Sequence, residues 1–151
     1  RIELHNPGSA PMDLGGWWLE AKDPTDNFRS DALPAFSLAP GAYVTVMADQ
    51  DSGDAYVSHG VIHIRRIGWQ SGEPGSLLLS EPVVGASIDF LRWGGAPTQR
   101  HNFSDCADTP TPLPVVPPGQ TLGRFSLTDT NTAADWCLQV ESMGSANGSC
   151  Q

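Results

Sequence analysis

The chain has 151 residues and a mass of 16.1 kDa, which is the size of one domain. It carries 8 basic against 17 acidic residues, a formal net charge of −9, so its field repels nucleic acids and acidic membranes. No apolar run is long enough for a membrane-spanning helix. We therefore expect one domain over residues 1–151, with neither nucleic-acid binding nor membrane insertion.

Short β-forming segments separated by Gly and Pro turns run along the whole sequence. Ile62 and Ile64 alternate with His63 and Arg65, the pattern of a strand with one buried face. No comparable helical periodicity is present. Nine short strands predict an all-β fold, an antiparallel sandwich or barrel. In chain order they are Arg1–His5, Met12–Leu14, Trp17–Leu19, Ala42–Met47, Val61–Ile67, Ser76–Leu79, Ser87–Trp93, Leu122–Phe125 and Trp136–Val140.

Three cysteines, Cys106, Cys137 and Cys150, lie in the last third of the chain without the spacing of a zinc site. We expect one disulfide. The pair Cys137–Cys150 ranks first because its short loop costs little entropy to close, ahead of Cys106–Cys137 and then Cys106–Cys150. A disulfide implies an oxidising compartment, so the sequence predicts a secreted, extracellular or cell-surface protein with one odd cysteine.

Five sequence blocks spread over nearly the whole chain have a family's order. They are Ile2-Glu3-Leu4-His5-Asn6-Pro7-Gly8, Met12-Asp13-Leu14-Gly15-Gly16-Trp17, Leu38-Ala39-Pro40-Gly41-Ala42-Tyr43, Gly75-Ser76-Leu77 through Ile88-Asp89-Phe90-Leu91-Arg92-Trp93-Gly94, and Leu122-Gly123-Arg124 with Asp135-Trp136. In these blocks the chain resembles the lamin tail domain, the immunoglobulin-like module of nuclear lamins that also occurs in secreted bacterial proteins. The resemblance implies an immunoglobulin-like antiparallel β-sandwich with long Pro/Gly-rich loops, structural or anchoring roles and no conserved active site.

The first of these blocks raises two structural expectations. We read Asn6-Pro7-Gly8 as a hairpin turn in which Gly8 has a positive φ. Family members usually have another strand before this block, so the first strand is either lost or supplied by a neighbouring molecule. In the second case the edge beside Ile2 and Leu4 would be open for pairing with a strand from outside the chain.

Adjacent Trp17 and Trp18 must face opposite sides if the backbone is extended. We expect Trp17 in the core and Trp18 on the surface, near the open edge, as an apolar anchor for a partner.

Two local clusters could bind an ion. Asp49, Asp51 and Asp54 resemble a calcium loop but lack the closing bidentate Glu, and a solvated acidic hairpin is the simpler interpretation. Arg65-Arg66 is a basic patch that could contact an anion despite the acidic whole. We predict no cofactor other than this possible structural calcium.

No catalytic motif is apparent in the sequence. It has no Gly-x-Ser-x-Gly elbow, phosphate-binding loop or His-Glu-x-x-His. We therefore predict a non-catalytic extracellular module for assembly, anchoring or adhesion, with protein partners that are either further copies, as in a filament, or neighbouring domains of a larger chain. The alternative is a carbohydrate- or calcium-dependent ligand-binding accessory module of a secreted enzyme, for which five tryptophans are the best argument.

Overall fold

A computed structural model describes residues 1–23, 25, 28–66, 72–82, 86–94, 112–125 and 129–151. The only helical element in these ranges is one turn of 3₁₀ helix, Ala133–Asp135. The all-β prediction is therefore confirmed. The strands are β1 (Ile2–His5), β2 (Met12–Asp13), β3 (Trp18–Lys22), β4 (Phe28–Ala32), β5 (Ser37–Leu38), β6 (Tyr43–Gln50), β7 (Tyr56–Ser58), β8 (Val61–Arg65), β9 (Gly75–Ser80), β10 (Ser87–Trp93), β11 (Thr121–Arg124) and β12 (Trp136–Gln139).

The strands form two four-stranded sheets that pack as a sandwich. Sheet 1 has the order β1-β6-β8-β7 and sheet 2 the order β10-β9-β3-β4, while β2-β5 and β11-β12 are separate two-stranded ladders. The pair β6–β8 is parallel, with Val46 opposite Ile62, whereas the other strand pairs within the described residues are antiparallel, as the sequence predicts. The cause of the parallel pair is the chain path, because residues 51–55 carry the chain from β6 to β7 and β8 then returns between them.

The core lies between the two sheets. Val44 and Val46 of β6 and Ile62 and Ile64 of β8 are at most 2% exposed and pack in one cluster with Leu19 of β3. This confirms the predicted alternation along β8. Burying each Val, Ile or Leu side chain contributes about 1.5–3 kcal/mol, so the cluster is the main support of the sandwich.

Three strands were missed by the sequence analysis: β4, β5 and β7. The strand β7 is joined to β8 by His59 and Gly60, whose φ angles of 50° and 76° are those of a two-residue hairpin turn with both central residues left-handed. The segment β4, with the sequence Phe-Arg-Ser-Asp-Ala, has one aromatic and no β-branched residue. The strand β4 therefore had no strong signal of its own.

Asn6 is fully buried and organises the end of β1. Its side-chain amide donates to the carbonyls of Ala10 and Leu38 at 2.9 Å each, and its Oδ1 accepts from the N–H of Gly8 at 3.0 Å. Because β1 pairs with β6, this segment does not connect a hairpin, and Gly8 does not have a positive φ. The expected hairpin turn is therefore wrong, and Asn6 instead links three segments.

The C-terminal segment folds back over the ladder β11-β12. A disulfide joins Cys137 of β12 to Cys150 with their Cα atoms 5.5 Å apart, as predicted. Beyond β12 the Glu141 carboxylate contacts the Arg1 guanidinium at 2.7 Å, and the N–H of Gly144 donates to the Glu3 carboxylate. The tail therefore lies beside β1. Within the ranges above, no helix has the length and apolar character needed to cross a membrane.

Candidate functional site

The outer edge of β7 is the most accessible strand edge of sheet 1. Tyr56 is 47% and Val57 40% exposed. In a two-residue hairpin the first pair, here Ser58 with Val61, is hydrogen-bonded and the next pair is not. Val57 therefore directs its backbone N–H and C=O away from β8, toward solvent. Among the described residues no strand pairs with this side of β7.

The opposite edge of sheet 1, at β1, is flanked by the tail. Ile2 and Leu4 are partly buried and pack against the core cluster, and their role as interface residues stays a prediction. The residues that face the tail are Arg1 and Glu3, through their contacts with Glu141 and Gly144. No described strand pairs with the outer side of β1, but two anchored side chains already hold a segment next to it.

Trp17 and Trp18 divide as expected, with Trp17 8% and Trp18 40% exposed. Trp18 lies in β3, opposite Ala32 of β4 and Ser80 of β9, and therefore belongs to sheet 2. The strands β1 and β3 belong to different sheets, and the role of Trp18 as an anchor near the β1 edge stays a prediction. Its exposure leaves Trp18 available as a contact residue on sheet 2.

Two ring stacks lie on sheet 1. His5 of β1 stacks on Tyr43 of β6 with ring centroids 4.3 Å apart, and Tyr56 of β7 stacks on His63 of β8 at 4.8 Å. The Nδ1 atom of His63 lies 3.1 Å from both carboxylate oxygens of Asp49. His63 therefore holds the Tyr56 ring against β8, beside the β7 edge.

Two of the three acidic residues proposed for calcium contact other side chains. Asp49 contacts His63, and the Asp51 carboxylate lies 3.1 Å from Nε of Arg66. Asp54 is exposed in the connection between β6 and β7, which is a crossover and not the acidic hairpin that the sequence suggested. In the part of the chain that the structure describes, no three His, Cys, Asp or Glu side chains are placed to hold a metal ion. Calcium binding stays a prediction.

A cleft, which we call the arginine cleft, lies where β4 of sheet 2 meets β8 of sheet 1. Its volume is about 440 Å³. Arg65 bridges the two sheets, since its backbone N–H donates to Asp31 at 2.9 Å and its guanidinium to the Ser30 carbonyl at 3.0 Å. The cleft is lined by Arg29, Ser30, Asp31, Gln50, Asp51, Arg65 and Arg66. The structure thus places Arg65 and Arg66 beside a third arginine that the sequence analysis did not single out.

A second charged cluster joins the ladder β11-β12 to sheet 2. Arg124 contacts Asp89 of β10 at 2.8 Å and Asp129 at 2.6 Å, and it lies 4.8 Å above the ring of Trp136. Burial raises the pKa of Asp89, an effect that the Arg124 guanidinium only partly offsets. One arginine holds two carboxylates here, so the cluster serves to attach the ladder to sheet 2.

Hydrogen bonds from Thr130 lower the pKa of Asp135. The Oγ1 and N–H of Thr130 donate to its two oxygens at 2.7 and 2.8 Å. This local loop explains the acidic residues that follow β11 without a bound ion. Cys106, a disulfide candidate of the sequence analysis, and Trp69, one of the five tryptophans of the chain, lie outside the described residues.

No protein-family model matches the sequence, and no curated protein is similar to it at a significant level. The functional assignment therefore depends on the geometry described above.

Proposed function

We propose that this chain is a non-catalytic interaction module that associates with a further copy of itself by strand addition at the β7 edge. The observation that supports this most directly is the outward N–H and C=O of Val57 beside two exposed apolar side chains. An unpaired strand edge is a template for another strand, and exposed apolar residues next to it add contact area. Two β7 edges meeting antiparallel about a two-fold axis would satisfy both copies at once.

The β7 edge is a better candidate than the β1 edge. At β1 the tail is held next to the strand by the Arg1 and Glu3 side chains, so an incoming strand must displace it. At β7 none of the described segments has to move. The strand is only three residues long, which limits the pairing to a few hydrogen bonds and predicts weak, concentration-dependent association.

The compartment is part of the same proposal. The disulfide Cys137–Cys150 is compatible with an oxidising environment, where such bonds persist, and supports a secreted or cell-surface location. The resemblance to lamin tail domains supports a structural role, whether in assembly, anchoring or adhesion. An adhesive module needs no active site, only a rigid framework with an accessible edge.

Sedimentation velocity over a wide concentration range tests the proposal. Wild-type protein should shift from monomer toward dimer as its concentration rises, and Val57→Lys should stay monomeric because a charge on the edge opposes pairing. Ile88→Lys is a matched control, since Ile88 is also 40% exposed but lies on β10 of sheet 2. Wild-type protein that stays monomeric throughout, or equal loss of association in both variants, would contradict the proposal.

The alternative function, a ligand-binding module, is favoured by a different observation. The arginine cleft is a concave, charged site within the described residues, whereas the β7 site is a strand edge. The two functions use separate surfaces and do not exclude each other.

A further inference from the structure

Three arginines converge on one cleft in a strongly acidic protein. The chain has 7 arginines and a net charge of −9, yet Arg29, Arg65 and Arg66 all line the arginine cleft. Two carboxylates, Asp31 and Asp51, line it as well and pair with Arg65 and Arg66. Guanidinium groups that line the same cleft repel one another, and an anion between them would lower that cost.

The guanidinium groups retain unused hydrogen-bond donors. Arg65 uses one terminal nitrogen, Nη2, for Ser30 and Asp31, and Arg66 uses Nε for Asp51. A guanidinium has five N–H donors in a planar fork, so most of those on Arg65 and Arg66 have no acceptor within the described residues. Planar forks of this kind bind carboxylates through two parallel hydrogen bonds.

Gln50 supplies another donor in the same wall. Its side-chain amide nitrogen is buried and has no acceptor among the described residues. A buried donor without a partner costs about 1–3 kcal/mol, which a ligand oxygen reached after a small movement would recover. This is an independent indication that the cleft is completed by an acceptor from outside the protein.

One ion pair of the cleft, Arg66–Asp51, contributes little to the stability of the fold. Its two side chains are 67% and 82% exposed, and ion pairs this exposed contribute about 0–1 kcal/mol. This pair is therefore available for contacts with a ligand, whereas Arg65 and Asp31 also hold the two sheets together.

We propose that the arginine cleft binds an acidic saccharide, with the arginines on its carboxylate and the two aspartates on its hydroxyl groups. Free sulfate offers only acceptors and free phosphate offers few donors, so neither satisfies Asp31 and Asp51 as well as several hydroxyl groups would. A uronic acid offers one carboxylate, which matches the guanidinium groups, and several hydroxyl donors, which match the carboxylates of Asp31 and Asp51. The volume of about 440 Å³ accommodates a sugar unit of this size. This inference does not depend on the proposed self-association.

Calorimetric titration with oligogalacturonate tests the inference, with a neutral galactose oligomer of equal length and a poly-glutamate peptide as comparison ligands. We expect binding of the uronate oligomer alone. Equal binding of the neutral oligomer would overturn recognition of the acid, equal binding of the peptide would overturn recognition of a saccharide, and absence of uronate binding would overturn the inference altogether.

Variants locate the site. Arg66→Gln and Arg29→Gln should each weaken uronate binding by about tenfold or more, the effect of losing one charge-assisted pair. Arg1→Gln is the matched control, because Arg1 is another exposed arginine in an ion pair but lies at β1. Circular dichroism should show all three variants folded. Unchanged affinity in both cleft variants, or an equal loss in the control, would contradict the assignment.

Discussion

The Arg124 guanidinium contacts the Asp89 carboxylate at 2.8 Å, and this pair joins the ladder β11-β12 to the edge of sheet 2. The Arg124 side chain is only 18% exposed and its guanidinium lies over the Trp136 ring. A charge pair in this position is far less screened than one on the open surface. The attachment of the disulfide-linked ladder to the sandwich therefore depends strongly on one residue.

Replacing Arg124 with Met should destabilise the protein by about 1–3 kcal/mol, because Asp89 and Asp129 lose their partner while the apolar stem is kept. Urea unfolding measures the loss. Arg1→Met is the control, since the pair Arg1–Glu141 is exposed and should contribute less than about 1 kcal/mol. Losses of equal size in the two variants would show that burial of the Arg124 cluster has no energetic consequence.

Asp135 should make the stability depend on pH in the acid range. Its pKa in the folded protein is lowered by the hydrogen bonds from Thr130, so the folded state favours the charged form. The resulting stability is present above the unfolded pKa of about 4 and is lost as pH falls through the folded pKa. Asp135→Asn should therefore be less stable than wild type at neutral pH, with a difference that shrinks below pH about 4.

Thermal unfolding at several pH values measures this effect. Asp54→Asn, at an exposed carboxylate, is the control and should keep the wild-type dependence on pH. A difference between wild type and Asp135→Asn that is constant over the whole range would mean that the charge of Asp135 is not involved.

The faces of several strands could be predicted because a strand fixes which side each residue takes. The alternation of Ile62 and Ile64 with their neighbours, and of Trp17 with Trp18, follows from a period of two alone. The order of strands within the sheets does not. Nothing local in the sequences of β6 and β8 indicates that they run parallel. Their parallel pairing arises because the chain crosses from β6 to β7 and then returns as β8 between them.

The arginine cleft shows the same limit at the level of the site. Arg65 and Arg66 are adjacent in sequence and could be recognised as a basic patch, but Arg29 lies in the missed strand β4. The β7 edge was missed because the dipeptide His59-Gly60 was not recognised as a turn. The available signal was a Gly that follows a residue tolerating left-handed φ and lies between two β-forming segments.

Gly75→Ala should destabilise the protein by about 1–3 kcal/mol through overpacking. A Cβ atom at this position would lie 2.6 Å from the Trp93 ring, which is buried and fixed by a 2.9 Å hydrogen bond from Nε1 to the Glu73 carbonyl. Gly148→Ala is the control because no atom lies within 4 Å of its Cβ. Chemical denaturation of both variants measures the difference, and a Gly75→Ala protein as stable as the control would show that Trp93 can move aside.

Removing the disulfide with Cys137→Ser and Cys150→Ser should cost about 2–3 kcal/mol, because a cross-link over 13 residues restricts a short loop of the unfolded chain. The tail also holds Glu141 and Gly144 against Arg1 and Glu3, so its release should loosen that end of the protein. Hydrogen exchange separates these effects. Under native conditions the amides of β11 and of the tail should exchange faster in the double variant by a larger factor than those of Val44 and Val46, which lie in the central strand β6 and open only with global unfolding. An equal increase at both places would mean that the disulfide acts on the unfolded chain alone and does not fix the tail beside β1.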